Sequence, residues 1–129
     1  MDGTHDAEGG PTLEERRALR HSLNAEDRDE VEAATESLLE FLGRESVRQI
    51  LLEFALAEKP LLYADLERRL DIDSAELAER LQELTERGVL DRTTYDGVST
   101  KIEYEPSETT HAHVSALVPL YRWAIENGR

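Results

Sequence analysis

Residues 73–104 limit the fold more than any other part of the chain. Leu77, Leu81 and Leu84 recur at i, i+4 and i+7, the spacing that lines one face of an α-helix. Asp73 precedes them as an N-cap, because its short side chain can accept from the free amides of the first turn, and Glu76 stands where it can reach back to the cap's own amide. Gly88 supplies the stop, since glycine enters the left-handed backbone region without a steric penalty. Residues 89–95 then read as a strand, with Val89, Thr93, Thr94 and Tyr95 favouring the pleated form. Asp96-Gly97 is the strongest short hairpin signal, and residues 98–104 are expected to return as the second strand. In a two-residue register Arg92 stands opposite Lys101.

A short helix is expected just upstream, over residues 64–70, with Leu66 and Leu70 at i, i+4 and a tight connection through residues 71–73. Helix, tight turn, helix and hairpin in that order make a winged helix-turn-helix, an architecture that sets its second helix in a DNA major groove and the hairpin beside it on the backbone. Residues 45–58 should be the central core helix, since Val47, Ile50, Leu51, Phe54, Ala55 and Ala57 form a face too broad for a surface helix. Lys59-Pro60 ends it, because the residue before proline disfavours helix. Leu61-Leu62-Tyr63 then enters in extended form, as a short strand on the wing sheet.

The flanks read as additions to this unit. Residues 1–11 are an acidic, glycine-containing tail expected to be disordered. An N-terminal helical arm spans residues 12–43. Thr12 and Glu15 open a short helix as a capping box, Asn24 caps the next, and Gly43 ends that one. The winged helix-turn-helix occupies residues 44–105, and Glu105-Pro106-Ser107 breaks the chain after it. Ser107 is expected to cap a last helix running to about residue 126, kinked at Pro119. One stripe of that helix (Val114, Leu117, Val118, Tyr121, Ile125) can pack on the domain. A second (Ala116, Leu120, Trp123, Ala124) would be left exposed on a monomer, which marks an interface. The fold class is therefore mainly α with a small β-hairpin wing, a winged helix-turn-helix carrying extra N- and C-terminal dimerisation helices.

Charge separates the possible environments. Twenty-nine acidic residues oppose fifteen basic ones in 129, a net charge of −14, and only Lys59 and Lys101 are lysines. So acidic and lysine-poor a surface suits a salt-in, haloarchaeal-type cytoplasm, where the Debye length falls to ~3 Å at 1 M salt and carboxylate repulsion is screened. The alternatives are an acidic mesophilic protein, or one that avoids nucleic acid. There is no cysteine, hence no disulfide frame, thiolate metal site or cysteine nucleophile. No apolar run approaches the ~18 residues needed to span a bilayer. Residues 1–10 lack the apolar core of a signal peptide. The expectation is a cytoplasmic protein with no membrane partner.

From Gly43 to Ala124 the chain resembles HxlR-type winged-helix transcriptional regulators. The matching residues are Leu42-Gly43, the Ile50-Leu51 core, Leu62-Tyr63-Ala64-Asp65-Leu66 and Leu77-Ala78-Glu79-Arg80-Leu81-Gln82-Glu83-Leu84. The most specific are Gly88-Val89-Leu90-Asp91-Arg92-Thr93, Tyr95 and Lys101-Ile102-Glu103-Tyr104, with Pro119 in the last helix. The resemblance implies a homodimer on double-stranded DNA, reading a palindromic or tandem operator. The N- and C-terminal helices, through Leu38, Leu120, Trp123 and Ala124, would form its interface. The chain departs from the pattern at Ala75, Ala78 and Glu79, where such proteins carry basic or hydroxyl residues. It also has Pro106 and Thr110 in place of a leucine and a glycine, and lacks the cysteine with which many members sense oxidants.

With the leucines inward, Ser74, Ala75, Ala78, Glu79 and Gln82 form the candidate base-reading face. Ser74 can bond a phosphate or base edge, Glu79 can accept from cytosine, Gln82 can pair with adenine, and the alanines can meet a thymine methyl. Arg68, Arg69, Arg80, Arg92 and Lys101 are the candidate phosphate contacts; the plainer alternative for each arginine is a pair with a nearby carboxylate. His111 and His113 would point about 200° apart on a helix, poor geometry for a shared metal. No phosphate loop, serine elbow or paired catalytic motif occurs. No enzyme, metal or cofactor is therefore expected. The readings left open beside the regulator are a winged-helix module for protein contact and a MarR- or ArsR-type regulator.

Overall fold

The computed structural model describes residues 10–24, 26–97 and 99–128. The chain divides into two compact units between Leu42 and Gly43. Residues 1–9 of the expected tail lie outside the described residues.

The first unit holds α1 (Leu13–Asn24) and α2 (Arg28–Leu42). The capping box forms as its residues dictate: Glu15 N–H donates to Thr12 Oγ1 at 3.0 Å and Thr12 N–H to Glu15 Oε1 at 2.7 Å. Asn24 does not cap the next helix. It is the last residue of α1, and α2 starts at Arg28, with Val31 N–H donating to Asp27 O. Arg28 explains the shift, because its guanidinium donates to Leu23 O at 3.2 Å and satisfies a carbonyl at the end of α1. Asp29 and Glu30 then lie in the first turn of α2, where the helix dipole favours them.

The second unit begins with α3 (Glu45–Ala57), whose broad face buries Val47, Ile50, Leu51, Phe54 and Ala55. Glu58 ends it in the left-handed region (φ 56°), donating to Phe54 O just before Lys59-Pro60. Then come β1 (Leu61–Leu62), α4 (Tyr63–Arg69), α5 (Ser74–Glu86), β2 (Leu90–Tyr95), β3 (Lys101–Pro106), α6 (His111–Ser115) and α7 (Leu117–Asn127). The strands form one antiparallel sheet in the order β1-β3-β2. Leu61, Leu66, Leu77, Leu81, Leu84 and Leu90 join Val47 and Ile50 in its core, none more than 1% exposed. This is the expected fold class, helical with a small sheet as wing.

Gly88 turns α5 into the wing. Its φ is 79°; Gly88 N–H donates to Thr85 O at 3.0 Å and Val89 N–H to Leu84 O at 2.9 Å. That pair of bonds defines a Schellman ending and satisfies two of the helix's last carbonyls.

The hairpin departs from the sequence reading. Tyr95 pairs with Lys101, so residues 96–100 connect the strands, and Arg92 faces Tyr104, not Lys101. Val98 lies outside the described residues. Gly97 does not enter the left-handed region that a two-residue type I′ turn would require. Burial decides the register. The two-residue form would set Leu90 beside Glu103, whereas the observed one puts Leu90 and Tyr104, both buried, on one face of the sheet. The slip is odd-numbered, so Arg92 and Lys101 end on opposite faces.

The C-terminal segment also differs. β3 runs on through Pro106, and Ser107 does not cap a helix: its buried hydroxyl donates to Gly88 O at 2.8 Å, tying the end of β3 to the start of the wing. The last helix begins at His111 and breaks at Ala116. Pro119 is the third residue of α7, and its ring would clash with the carbonyl of Ser115 in a continuous helix, so the break falls one turn upstream of the proline. Val114 is buried, Leu117 and Tyr121 are half-buried, and Val118 and Ile125 are exposed. The first stripe thus turns only its upstream end inward.

Candidate nucleic-acid interface

The three leucines that α5 buries determine what it shows. Ser74, Ala75, Ala78, Glu79 and Gln82 are all exposed on its other side. Asp73 caps the helix, accepting from Ala75 N–H at 3.1 Å. Glu76 makes no return bond to the Asp73 amide among the described residues. The helix start is instead braced from α4. Ser74 Oγ donates to Glu67 Oε2 at 3.1 Å, and Tyr63 OH donates to Ser74 O at 3.5 Å. Partial burial, then the Glu67 carboxylate and Tyr104, push the Tyr63 phenol above its ordinary pKa.

Several candidate cations are occupied within the chain. Arg80 is largely buried and pairs with Glu83 at 2.6 Å and Glu79 at 3.2 Å, while its Nε is buried with no hydrogen-bond partner among the described residues. Arg44 reaches the same Glu83 at 3.7 Å. Arg69 pairs with Glu53 at 3.1 Å. Arg68 pairs with Asp65 at 3.0 Å, and the other Asp65 oxygen accepts from Leu62 N–H. That backbone bond first, then Arg68, hold the Asp65 carboxyl below the usual carboxylate range. Arg92 and Lys101 have no ion-pair partner among the described residues.

An open groove runs between α5 and the wing, lined by Ala78, Gln82, Thr85, Glu86, Arg92 and Tyr104. The observed register creates it, because it turns Arg92 to the Tyr104 side of the sheet. Gln82 donates to Glu86 Oε2 at 3.0 Å. The structure therefore brings together Ala78, Gln82 and Arg92. It leaves Ser74 and Ala75 at the helix start and puts Lys101 on the far face of the wing, beside Tyr95, whose hydroxyl donates to Glu103 at 3.1 Å. Thr85 and Tyr104 are groove residues that sequence pattern does not single out. Thr85 follows Gln82 and Ala78 at helical spacing, but Tyr104 depends on a cross-strand pairing invisible in one dimension. The helix face is acidic: four glutamates of α5 oppose the single Arg80.

Of the expected interface residues, Leu38 in the first unit is 43% exposed, and Leu120 and Trp123 in the second are each 61% exposed, with Ala124 exposed beside them. No helix among the described residues is long and apolar enough to cross a membrane.

The backbone is shared with solved structures of regulators. ytfH of Salmonella typhimurium, assigned as a transcriptional regulator, is similar with a TM-score of 0.62 and 22% identity, covering 72% of this chain and 82% of that one. The reduced form of the transcriptional regulator YodB of B. subtilis gives 0.57 and 24%, covering 71% and 89%. The transcriptional regulator HlyU of Vibrio vulnificus gives 0.56 and 25%, covering 74% and 95%. No curated protein is significantly similar in sequence. The model of the HxlR-like helix-turn-helix family matches residues 47–129, from the core helix through the wing to the C-terminus. With the family's pattern spanning well over half of its length, the chain belongs to the HxlR-like helix-turn-helix family.

Proposed function

We propose that this protein is a sequence-specific DNA-binding transcriptional regulator that acts as a homodimer in a high-salt cytoplasm. The observation that carries the reading is the open groove where the exposed side of α5 meets the guanidinium of Arg92, which has no ion-pair partner among the described residues. A recognition helix reads bases from its N-terminal part, and the wing supports it on the backbone. Ala75 and Ala78 suit thymine methyls, Gln82 an adenine, Glu79 a cytosine amino group, and Ser74 a base edge or phosphate. Arg92 serves the phosphate or base edge that enters the groove, and Lys101 serves the backbone from the wing's other face. Arg68, Arg69 and Arg80 contribute only by exchanging a carboxylate for a phosphate, most readily Arg68, which is the most exposed of the three.

Two copies are needed because one leaves Val118, Leu120, Trp123 and Ile125 in water. Paired through those helices, two recognition helices can meet successive major grooves ~34 Å apart. The net charge of −14 supports the high-salt setting. Counterion release is a weaker drive there, so fit and hydrogen bonding carry more of the affinity.

Fluorescence anisotropy with the duplex upstream of the protein's own reading frame, in molar potassium chloride, tests this. Wild type should bind, and Arg92→Ala should lose roughly tenfold or more in affinity with an unchanged unfolding midpoint. Wild-type affinity in that variant refutes the groove reading. One observation favours a second reading: the excess of carboxylates on α5 suits a basic protein partner. If no duplex binds at any salt concentration while a basic protein does, the module serves protein contact.

A further inference from the structure

The first unit lies outside the family match, which begins at residue 47. It is two helices of 12 and 15 residues with almost nothing inside: among its described residues only Phe41 is buried. Helices shorter than ~12–15 residues are marginal alone and depend on packing of an apolar face. Yet Leu13, Leu19, Leu38 and Leu39 remain 61%, 56%, 43% and 62% exposed.

The two helices also carry opposite charge that is mostly unpaired among the described residues. Arg16, Arg17 and Arg20 cluster on α1 with no carboxylate between residues 16 and 21. Asp29, Glu32, Glu36 and Glu40 follow at spacings of three and four along one stripe of α2. Arg28 pairs with Glu32 at 3.2 Å, but no ion pair joins α1 to α2 among the described residues. Arg17 and Arg20 have no partner there at all. A helix with a basic second half and an acidic helix, each with exposed leucines and with charges left unpaired among the described residues, are complementary to a second copy of themselves.

We propose that this hairpin is a dimerisation element in which the basic α1 of one copy lies along the acidic α2 of the other, closing the leucines into a four-helix core. The inference rests on the homodimer reading and adds to it a contact, made by α1, that the family's own segment lacks. It also explains how a cluster of arginines is kept on so acidic a chain.

Charge exchange tests it. Two full-length variants, R17E/R20E and E36R/E40R, are compared by analytical ultracentrifugation at the lowest salt that preserves the wild-type helical signal, since screening tightens from ~10 Å at 0.1 M to ~3 Å at 1 M. Each alone should dimerise about tenfold more weakly than wild type. Mixed in equal amounts they should regain wild-type association, because both inter-copy contacts of the mixed dimer again join opposite charges. A variant that loses helix alone but regains it in the mixture reports the same pairing. Full dimerisation of either variant alone, or failure of the mixture to recover, overturns the proposal. So does an R17E/R20E protein that dimerises normally but binds all duplexes more weakly, which makes α1 a nucleic-acid arm. A wild type that stays monomeric at every concentration instead sinks the homodimer reading beneath it.

Discussion

Replacing Gly88 with alanine isolates the backbone device that joins the recognition helix to the wing. A Cβ added at Gly88 meets nothing within 4 Å, so no clash contributes. What remains is the φ of 79°, a region that costs an L-residue roughly 1–2 kcal/mol. Part of this is offset, because alanine also stiffens the unfolded chain, worth about 0.4–1 kcal/mol. Gly97 is the internal control: a Cβ there also meets nothing within 4 Å, but its backbone is not left-handed. The unfolded-state gain is common to both positions and cancels between them. Gly88→Ala should therefore be less stable than Gly97→Ala by about 1–2 kcal/mol, with Gly97→Ala at or above wild type. Gly88→Asn should fall between, since asparagine tolerates the left-handed region. Denaturant unfolding at constant salt, with m unchanged across the set, reads the difference. Equal stability of the two alanine variants would mean that the Schellman ending does not set the path of the chain into the wing.

Leu81→Ala removes a side chain with no exposed surface from the centre of α5. It should cost ~2–5 kcal/mol in the same unfolding assay, against ~5–15 kcal/mol for a typical domain. Asp65 has its carboxyl held down by Leu62 N–H and Arg68. A depressed folded-state pKa contributes stability that is present above the unfolded value and lost as pH falls through the folded one. Acid unfolding of Asp65→Asn should therefore lack a component that wild type shows below the ordinary carboxylate range, while the two differ by a constant amount at neutral pH. The chain has one tryptophan, Trp123, which is exposed in a single copy. Its emission should shift to the blue as concentration rises through dimerisation; a spectrum that stays that of a solvated indole at every concentration would remove α7 from the interface.

Local chemistry made much of this architecture legible in one dimension. The leucine spacing of α5, the Asp73 cap, the glycine stop at Gly88, the Thr12–Glu15 box and the proline-ended core helix each depend on residues within a turn or two of one another. Their energetics are decided by neighbours in sequence, so the elements appear where the pattern puts them. The exposed side of α5 followed too, since a helix that buries Leu77, Leu81 and Leu84 has only one side left. Contacts between distant segments were different. The hairpin register was set by what Leu90 and Tyr104 could bury together, not by the Asp96-Gly97 pair, and that moved Arg92 into the groove and Lys101 out of it. Arg69 was taken by Glu53, sixteen residues away, and Ser107 by a carbonyl nineteen residues away. Each is a competition among partners that only meet once the chain has folded, and a linear pattern records the candidates without the outcome.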